Sequence, residues 1–163
     1  MLVRERCGVS YESDQKNQEL SQAKSAIILA MRYLLDTNIP VSFFRGKAAI
    51  IAKVKEVINK GVGLSMISLG ELYHGVNKSN RVKQKIKEVD KFVKTVKLLM
   101  VDKAVVWEYG KLMAKLEKKG IKLASMDVLI AATAKANNLI ILTGDKQHFP
   151  RLKGFGIKVE VIK

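Results

Sequence analysis

The sequence is poor in the residues that mark secreted and membrane proteins. Its single cysteine, Cys7, cannot form a disulfide or a cysteine-based zinc site within one chain. No apolar run approaches the roughly 20 residues that span a bilayer, and "AIILAM" is too short for a signal-peptide core. We therefore expect a cytoplasmic protein that does not span a membrane.

Acidic residues are also scarce. Thirty Lys and Arg face fifteen Asp and Glu, which gives a net charge of +15. Such an excess favours a polyanionic partner, either nucleic acid or an acidic protein. Lysine-rich, cysteine-poor surfaces also occur in heat-resistant proteins, so charge alone leaves both explanations open. The length of 163 residues and the 48% hydrophobic content predict one globular domain with a substantial core.

The composition changes at Met31. Residues 1–30 include "YESDQKNQELSQAKS", which has few large apolar side chains. We expect an N-terminal extension here, helical around residues 17–29 and loosely held over its first dozen residues. The domain that carries the chemistry is predicted to span residues 31–163.

From Met31 onward, apolar segments alternate with amphipathic helical patterns such as "KAAIIAKVKEVINKG" and "RVKQKIKEVDKFVKTV". The apolar segments mostly lack polar alternation, which indicates strands covered on both faces, as in a parallel sheet. The alternation predicts a doubly wound α/β fold. The predicted strands are residues 32–35, 63–67, 97–101, 139–143 and 157–162.

Four acids stand where such a fold places its ligand site, at the carboxyl ends of the strands. Asp36 ends the first strand in "YLLDTNIP", and Glu71 follows the second in "SLGEL". Asp127 opens the helix "MDVLIAATAKA", and Asp145 follows the fourth strand in "LTGD". The topology predicts that these four side chains lie close together.

Each acid also has a purely structural interpretation. Asp36 or Asn38 suits the cap of the next helix, and "SLGE", ending at Glu71, fits a capping box. Asp127 suits the positive end of a helix dipole, and Asp145 suits a turn.

Four converging carboxylates would repel one another without a positive charge among them. Hard oxygen ligands suit Mg²⁺ or Mn²⁺, although lysine is an alternative counter-charge. A hydrated divalent ion can activate water and stabilise charge on a transferring phosphoryl group. Basic surface around an acidic notch is the electrostatic layout expected of a nuclease.

The segments "LLDTNIPV", "SLGELYHGV" and "MDVLIAATAKANNLIILTGDKQHF" closely resemble the PIN domain, in particular the VapC-type ribonuclease toxins of prokaryotic toxin–antitoxin pairs. The resemblance covers roughly residues 31–161. It implies a five-stranded parallel sheet in the order 3-2-1-4-5 with helices on both faces. It also implies a divalent metal, RNA cleavage, and homodimers neutralised by a VapB-type antitoxin.

Residue by residue, the resemblance assigns Asp36 and Asp127 as direct metal ligands. Glu71 would bind the metal through water or orient the attacking water. Asp145 would support the site from outside the metal's own ligands or hold a second ion. The polar residues that match the flanking positions are Asn38 and Thr143.

The chain departs from the common pattern at Pro40, where an apolar residue is usual, and at "TGD", where Thr-Arg-Asp or Thr-Asn-Asp is common. The second change is expected to weaken substrate contacts, but all four acids remain, so an active enzyme is predicted. His74 and His148 both stand close to the acidic motifs, which leaves a zinc ligand or a general base open, but surface or packed histidines are the favoured interpretation. Trp107 and Tyr109 are assigned to the core or to a dimer interface.

Two other functions remain open from the residues. A phosphoacceptor or phosphatase also carries an aspartate after its first strand, but the second acid of the common D-x-D motif is Asn38 here. A non-catalytic RNA-binding module would share the basic surface, and the intact acidic set argues against it. The RNA target itself is not predicted.

Overall fold

The computed structural model describes residues 31–162. The predicted extension, residues 1–30, lies outside the described residues, so its helix and its role stay predictions. No helix in the described range is long and apolar enough to cross a membrane.

A five-stranded parallel sheet forms the centre of the domain. The strand order is β3-β2-β1-β4-β5, which confirms the predicted 3-2-1-4-5 arrangement. The observed strands are one or more residues shorter than the predicted segments. Their bounds are β1 Tyr33–Leu35, β2 Val62–Ser65, β3 Lys97–Leu99, β4 Ile140–Thr143 and β5 Lys158–Val161.

Six α-helices connect the strands, together with short 3₁₀ segments at Ile58–Lys60 and Phe149–Phe155. The amphipathic patterns in the sequence correspond to helices, as predicted. The helices are α1 Asn38–Phe44, α2 Ala48–Val57, α3 Met66–Asn77, α4 Val82–Val93, α5 Lys103–Lys118 and α6 Ser125–Ala136.

The core lies on both faces of the sheet because the strands have few polar side chains. Tyr33 and Leu35 pack into an apolar cluster with residues of α2, α3 and α4. Leu34 lies between them, and its side chain is also fully buried. Since successive side chains of a strand point to opposite faces, Leu34 is covered from the other side of the sheet. This arrangement confirms the α/β class and the helices on both faces.

The register brings three strand ends to the same level. Leu35 of β1 pairs with Leu64 of β2 on one side and with Leu142 of β4 on the other. The residue that follows Leu35 is Asp36, and its backbone N–H donates to the Leu142 carbonyl at 3.0 Å. The carboxyl ends of the central strands therefore form one edge, where the predicted site residues begin.

Candidate active site

Asp36 is the most buried acid of this edge, with 4% of its surface exposed. Asn38 Nδ2 and Thr143 Oγ1 both donate to the same carboxylate oxygen, Oδ2, the latter at 2.6 Å. Thr143 lies in β4 one residue past the pairing partner of Leu35, so the sheet register itself creates this contact. The second oxygen, Oδ1, has no side-chain donor within residues 31–162.

The carboxylate of Asp36 is electrostatically under-compensated. Its pKa is raised from 3.8 to about 6, chiefly by burial and further by the negative charges of the nearby Asp127 and Asp145. The hydrogen bond from Thr143 and one from the backbone of Thr37 act in the opposite direction but do not cancel burial. The site therefore favours either a proton or a cation at this position.

Asn38 holds Asp36 in place. Its Nδ2 also reaches Thr143 Oγ1 at 3.1 Å, and its Oδ1 accepts from the backbone N–H of Gly144 at 2.9 Å. A Cβ at Gly144 would lie 3.3 Å from that same Oδ1, so the missing side chain permits the close approach. The glycine of "TGD", which stands where Arg or Asn is common, therefore allows Asn38 to approach the backbone closely.

The capping interpretation of Asp36 is wrong. Thr37 is the N-cap of α1, and no side chain accepts a capping hydrogen bond there. Pro40 is buried in the first turn of α1, where a backbone N–H needs no partner within the helix, so the departure at this position costs no helical hydrogen bond.

Glu71 reaches the same edge from the middle of α3, where its carboxylate accepts a hydrogen bond from Thr37 Oγ1. The predicted capping box is also wrong. The helix begins three residues earlier than the "SLGE" motif, because Ser65 Oγ accepts from the Ser68 N–H at 2.9 Å and caps it. Glu71 is therefore not needed at the helix start and projects towards Asp127, whose pKa it raises.

Asp127 lies in the first turn of α6 and is half-buried. Desolvation raises its pKa, and the negative charges of Glu71 and Asp145 raise it further, while His148 lowers it. No hydrogen bond contributes to the shift. Asp127 therefore brings to the cleft a charge that no hydrogen bond stabilises.

Asp145 is held very differently. Its Oδ1 accepts from the backbone N–H groups of Gln147 at 2.7 Å and His148 at 3.2 Å, so the turn interpretation is correct. Its Oδ2 contacts His148 Nδ1 at 2.8 Å. Although desolvation raises its pKa, these backbone and side-chain hydrogen bonds outweigh it and lower the pKa below the usual value.

All four predicted acids line one open cleft of about 560 Å³. Across residues 31–162, no three His, Cys, Asp or Glu side chains form a ready-made set of metal ligands. The donor chemistry still fits a hydrated ion, because Mg²⁺ is usually held by one or two carboxylates and keeps several waters. The other residues that line the cleft include Asn38, Thr37, Val41, His74, Gly75, Lys78, His148 and Phe149.

Several residues that line this cleft are not among the site residues predicted from the sequence, and two of them, Thr37 and His148, contact its acids. Thr37 stands between Asp36 and Asn38 in the motif, and its contact with Glu71 depends on the placement of α3. His148 was read as a surface or packed histidine; it is exposed, but it pairs with Asp145 at the cleft. Trp107, with 70% of its surface exposed, is not a core residue of the described domain.

Comparison with known proteins agrees with this architecture. The PIN domain family matches residues 33–154. The chain is 32% identical over 130 residues to Ribonuclease VapC2 of Rickettsia felis, covering 75% of this chain and 92% of that protein. The chain belongs to the PIN-domain family. Its relatives in this family include VapC proteins, and the tRNA(fMet)-specific endonuclease VapC of Shigella flexneri is 30% identical over 76% of this chain and 94% of that protein.

Solved structures of this PIN-domain branch share the fold. VapBC2 from Rickettsia felis, crystallised with a DNA fragment from its promoter, superposes with a TM-score of 0.76 and 27% identity. The match covers 82% of this chain and all of that chain. VapBC from Salmonella typhimurium, also bound to DNA, gives a TM-score of 0.76 and 25% identity, covering 82% of this chain and 99% of that chain.

Proposed function

We propose that this PIN-domain protein is a divalent-metal-dependent endoribonuclease of the VapC type, which hydrolyses phosphodiester bonds in RNA. The observation that carries the proposal is the pairing of Asp36 and Asp127 in one cleft, both with raised pKa values. The names of the VapC relatives support the choice of RNA as the substrate. The net charge of +15 supports a polyanionic substrate.

Asp36, through Oδ1, and Asp127 are the proposed direct ligands of Mg²⁺ or Mn²⁺. Both carboxylates have raised pKa values, and a bound cation would replace the proton that burial favours. When bound, the ion supplies a Lewis acid and a water of lowered pKa.

The chain's own residues perform the positioning. Asn38 and Thr143 hold Asp36 with its Oδ2 occupied, which directs the remaining oxygen away from them. Glu71 is fixed by the Thr37 hydroxyl and is proposed to orient the attacking water. Lys78, at the rim of the cleft, is suited to contact the phosphate backbone.

The proposed partners follow from the relatives. The similar structures include VapBC complexes, and we infer that a VapB-type antitoxin inhibits this chain in the cytoplasm. We also infer a homodimer, because large apolar side chains are exposed after β3 and early in α5 and α6. They are Met100, Val101, Val106, Trp107 and Met126.

The dimer is tested by light scattering during gel filtration. Trp107→Glu places a charge at the most exposed of these side chains, 70% accessible, and is expected to shift a dimer to a monomer with an unchanged circular dichroism spectrum. A wild-type chain that is monomeric at all concentrations would contradict the dimer.

The function is tested by incubating the purified chain, freed of any partner, with a panel of structured RNAs. Cleavage is expected with Mg²⁺ or Mn²⁺, none after EDTA treatment, and recovery when metal is restored. Cleavage that survives complete removal of metal would contradict the metal requirement. Tight RNA binding without cleavage under any metal would support the non-catalytic module instead.

A further inference from the structure

His148 and Asp145 form a fixed pair at the rim of the cleft. His148 Nδ1 lies 2.8 Å from Asp145 Oδ2, and the His148 backbone N–H also reaches both carboxylate oxygens, at 3.2 and 3.3 Å. The following residue, Phe149, is buried with 2% of its surface exposed. Two contacts and a buried neighbour therefore fix the position of an otherwise exposed imidazole.

The same contacts occupy Asp145. Both of its oxygens already have donors, from the Gln147 and His148 backbone and from the imidazole. These donors compete with a metal for the lone pairs of Asp145, so Asp145 is a weaker candidate for a direct metal ligand than Asp36. Its geometry suits a different task, which is to orient the ring of His148.

The oriented ring has one nitrogen left for another molecule. Nδ1 is engaged by Asp145, whereas Nε2 has no hydrogen-bond partner in the portion of the chain described. His148 lines the same cleft as Asp36, Glu71 and Asp127, and its charge acts on Asp127. The carboxylates of the cleft repel the phosphates of a polyanionic strand, so a hydrogen-bonding or positive group among them helps the strand to enter the cleft.

We propose that His148 contacts the RNA strand at the scissile site through Nε2, and that Asp145 is the residue that positions it. This inference rests on the proposed ribonuclease function and adds a residue that the acidic set alone does not provide. Nε2 donates a hydrogen bond to a phosphate oxygen, and the contact between Nδ1 and Asp145 holds the ring in position before the strand arrives.

Two substitutions distinguish an RNA contact through Nε2 from a purely structural role of the hydrogen bond between His148 and Asp145. In His148→Asn the amide nitrogen stands near the position of Nδ1, so it can keep the bond to Asp145 but nothing replaces Nε2. In His148→Gln the longer amide reaches towards the position of Nε2. Both side chains are polar and the position is exposed, so both variants are expected to fold with unchanged circular dichroism.

We expect His148→Asn to lower kcat/KM about ten- to a hundredfold, the effect of losing a hydrogen bond to a charged group. His148→Gln should recover part of that loss. Calorimetric Mn²⁺ binding should match wild type in both variants, because the proposed ligands are Asp36 and Asp127. His74→Asn is the matched comparison: the His74 side chain lines the same cleft but makes no hydrogen bond to a described side chain, so its substitution should lower kcat/KM less than His148→Asn does.

Wild-type kcat/KM in His148→Asn would overturn the inference, because the hydrogen bond to Asp145 would then be sufficient without a contact from Nε2. An equal loss in His74→Asn would also overturn it, since any imidazole at the cleft would then explain both losses. These outcomes leave the ribonuclease proposal intact as long as the wild type cleaves RNA with metal. If the wild type does not cleave, the proposed function fails first, independently of His148.

Discussion

Asp36 and Asp145 follow adjacent strands and line the same cleft, yet their surroundings differ in kind. Asp36 is buried, takes two side-chain donors on one oxygen, and has a pKa raised to about 6. Asp145 is more exposed, takes backbone and imidazole donors on both oxygens, and has a lowered pKa. Hydrogen-bond donors therefore stabilise the negative charge of Asp145, whereas those around Asp36 do not offset the cost of its burial.

The difference shows that residue type and strand position do not fix the role of an acid. A buried carboxylate with an available oxygen attracts a cation, whereas a carboxylate whose oxygens are occupied orients its donors. Thr143 connects the two, because its hydroxyl donates to Asp36 at 2.6 Å and accepts from the Asp145 N–H at 2.9 Å.

The largest effect is expected from Asp36→Asn. The amide oxygen can replace Oδ2 and keep the donors from Asn38 and Thr143, but it is a poorer ligand for a hard cation. We expect cleavage to fall by about two to three orders of magnitude with no loss of melting temperature, measured by RNA cleavage rates and thermal unfolding.

Asp102→Ala gives the matched control for this substitution. Asp102 caps α5 by accepting from the Val105 N–H at 3.0 Å, and its loss should cost about 1 kcal/mol of stability without reducing cleavage. A stable Asp36→Asn protein that cleaves RNA at the wild-type rate would contradict the proposed metal ligation by Asp36 and indicate a purely structural role.

The next largest effect concerns the stability of the metal-free protein as a function of pH. The folded Asp36 carboxyl keeps its proton up to about pH 6, whereas the unfolded chain releases it near 3.8. The folded state therefore binds more protons in that range, so the contribution of Asp36 is fully present below about pH 4 and is lost as the pH rises through 6. Wild type should lose about 3 kcal/mol relative to Asp36→Asn across this window.

Urea unfolding in EDTA at several pH values between 4 and 7 measures this difference. Asp145, whose lowered pKa acts with the opposite sign, is present in both proteins and cancels in the comparison. Stability curves that run parallel for the two proteins would show that Asp36 titrates normally.

A smaller effect is expected from Thr143→Val, which removes the hydroxyl between the two carboxylates. The lost bond from Thr143 should raise the pKa of Asp36 further and leave the Asp145 N–H without its acceptor. We expect a loss of about 1–3 kcal/mol in unfolding free energy and a decrease in cleavage. Thr143→Ser keeps the hydroxyl and should behave close to wild type; equal losses in both variants would assign the effect to packing.

The smallest effect is expected from Gly144→Ala. Its Cβ would approach Asn38 Oδ1 to 3.3 Å, so Asn38 has to shift by a few tenths of an ångström. Because Asn38 also donates to Asp36, a modest decrease in cleavage is predicted, with a stability change on the order of 1 kcal/mol or less. Gly110→Ala in α5 is the control, since its Cβ would meet nothing within 4 Å and Gly110 is not among the residues that line the cleft. Greater loss in the control would refute the Asn38 explanation.

Much of the fold could be predicted from the sequence because the central strands are largely apolar and the helices have clear periodicity. The errors are at strand ends. Met66 was included in the second strand, but Ser65 caps a helix that begins there. Strand three was predicted to continue through Val101 and ends at Leu99, and the exposed Met100 shows that apolar character alone does not extend a strand.

The acidic residues of the candidate site could be predicted from the sequence, but their hydrogen-bond partners could not. The strand-end rule and the family resemblance indicate the four acidic positions, and the structure brings them to one cleft. The contacts of Thr37 with Glu71 and of His148 with Asp145 depend on where α3 and the turn after β4 place their side chains. Only three-dimensional packing decides which oxygens are occupied.

The most direct test of this account is a calorimetric Mn²⁺ titration of the full chain and three single variants. Wild type is expected to bind Mn²⁺, Asp36→Asn and Asp127→Asn are expected to lose most of that affinity, and Asp145→Asn is expected to retain it, because both Asp145 oxygens are occupied by protein donors. Normal binding by Asp36→Asn, or an equal loss in Asp145→Asn, would contradict the distinction between the two carboxylates.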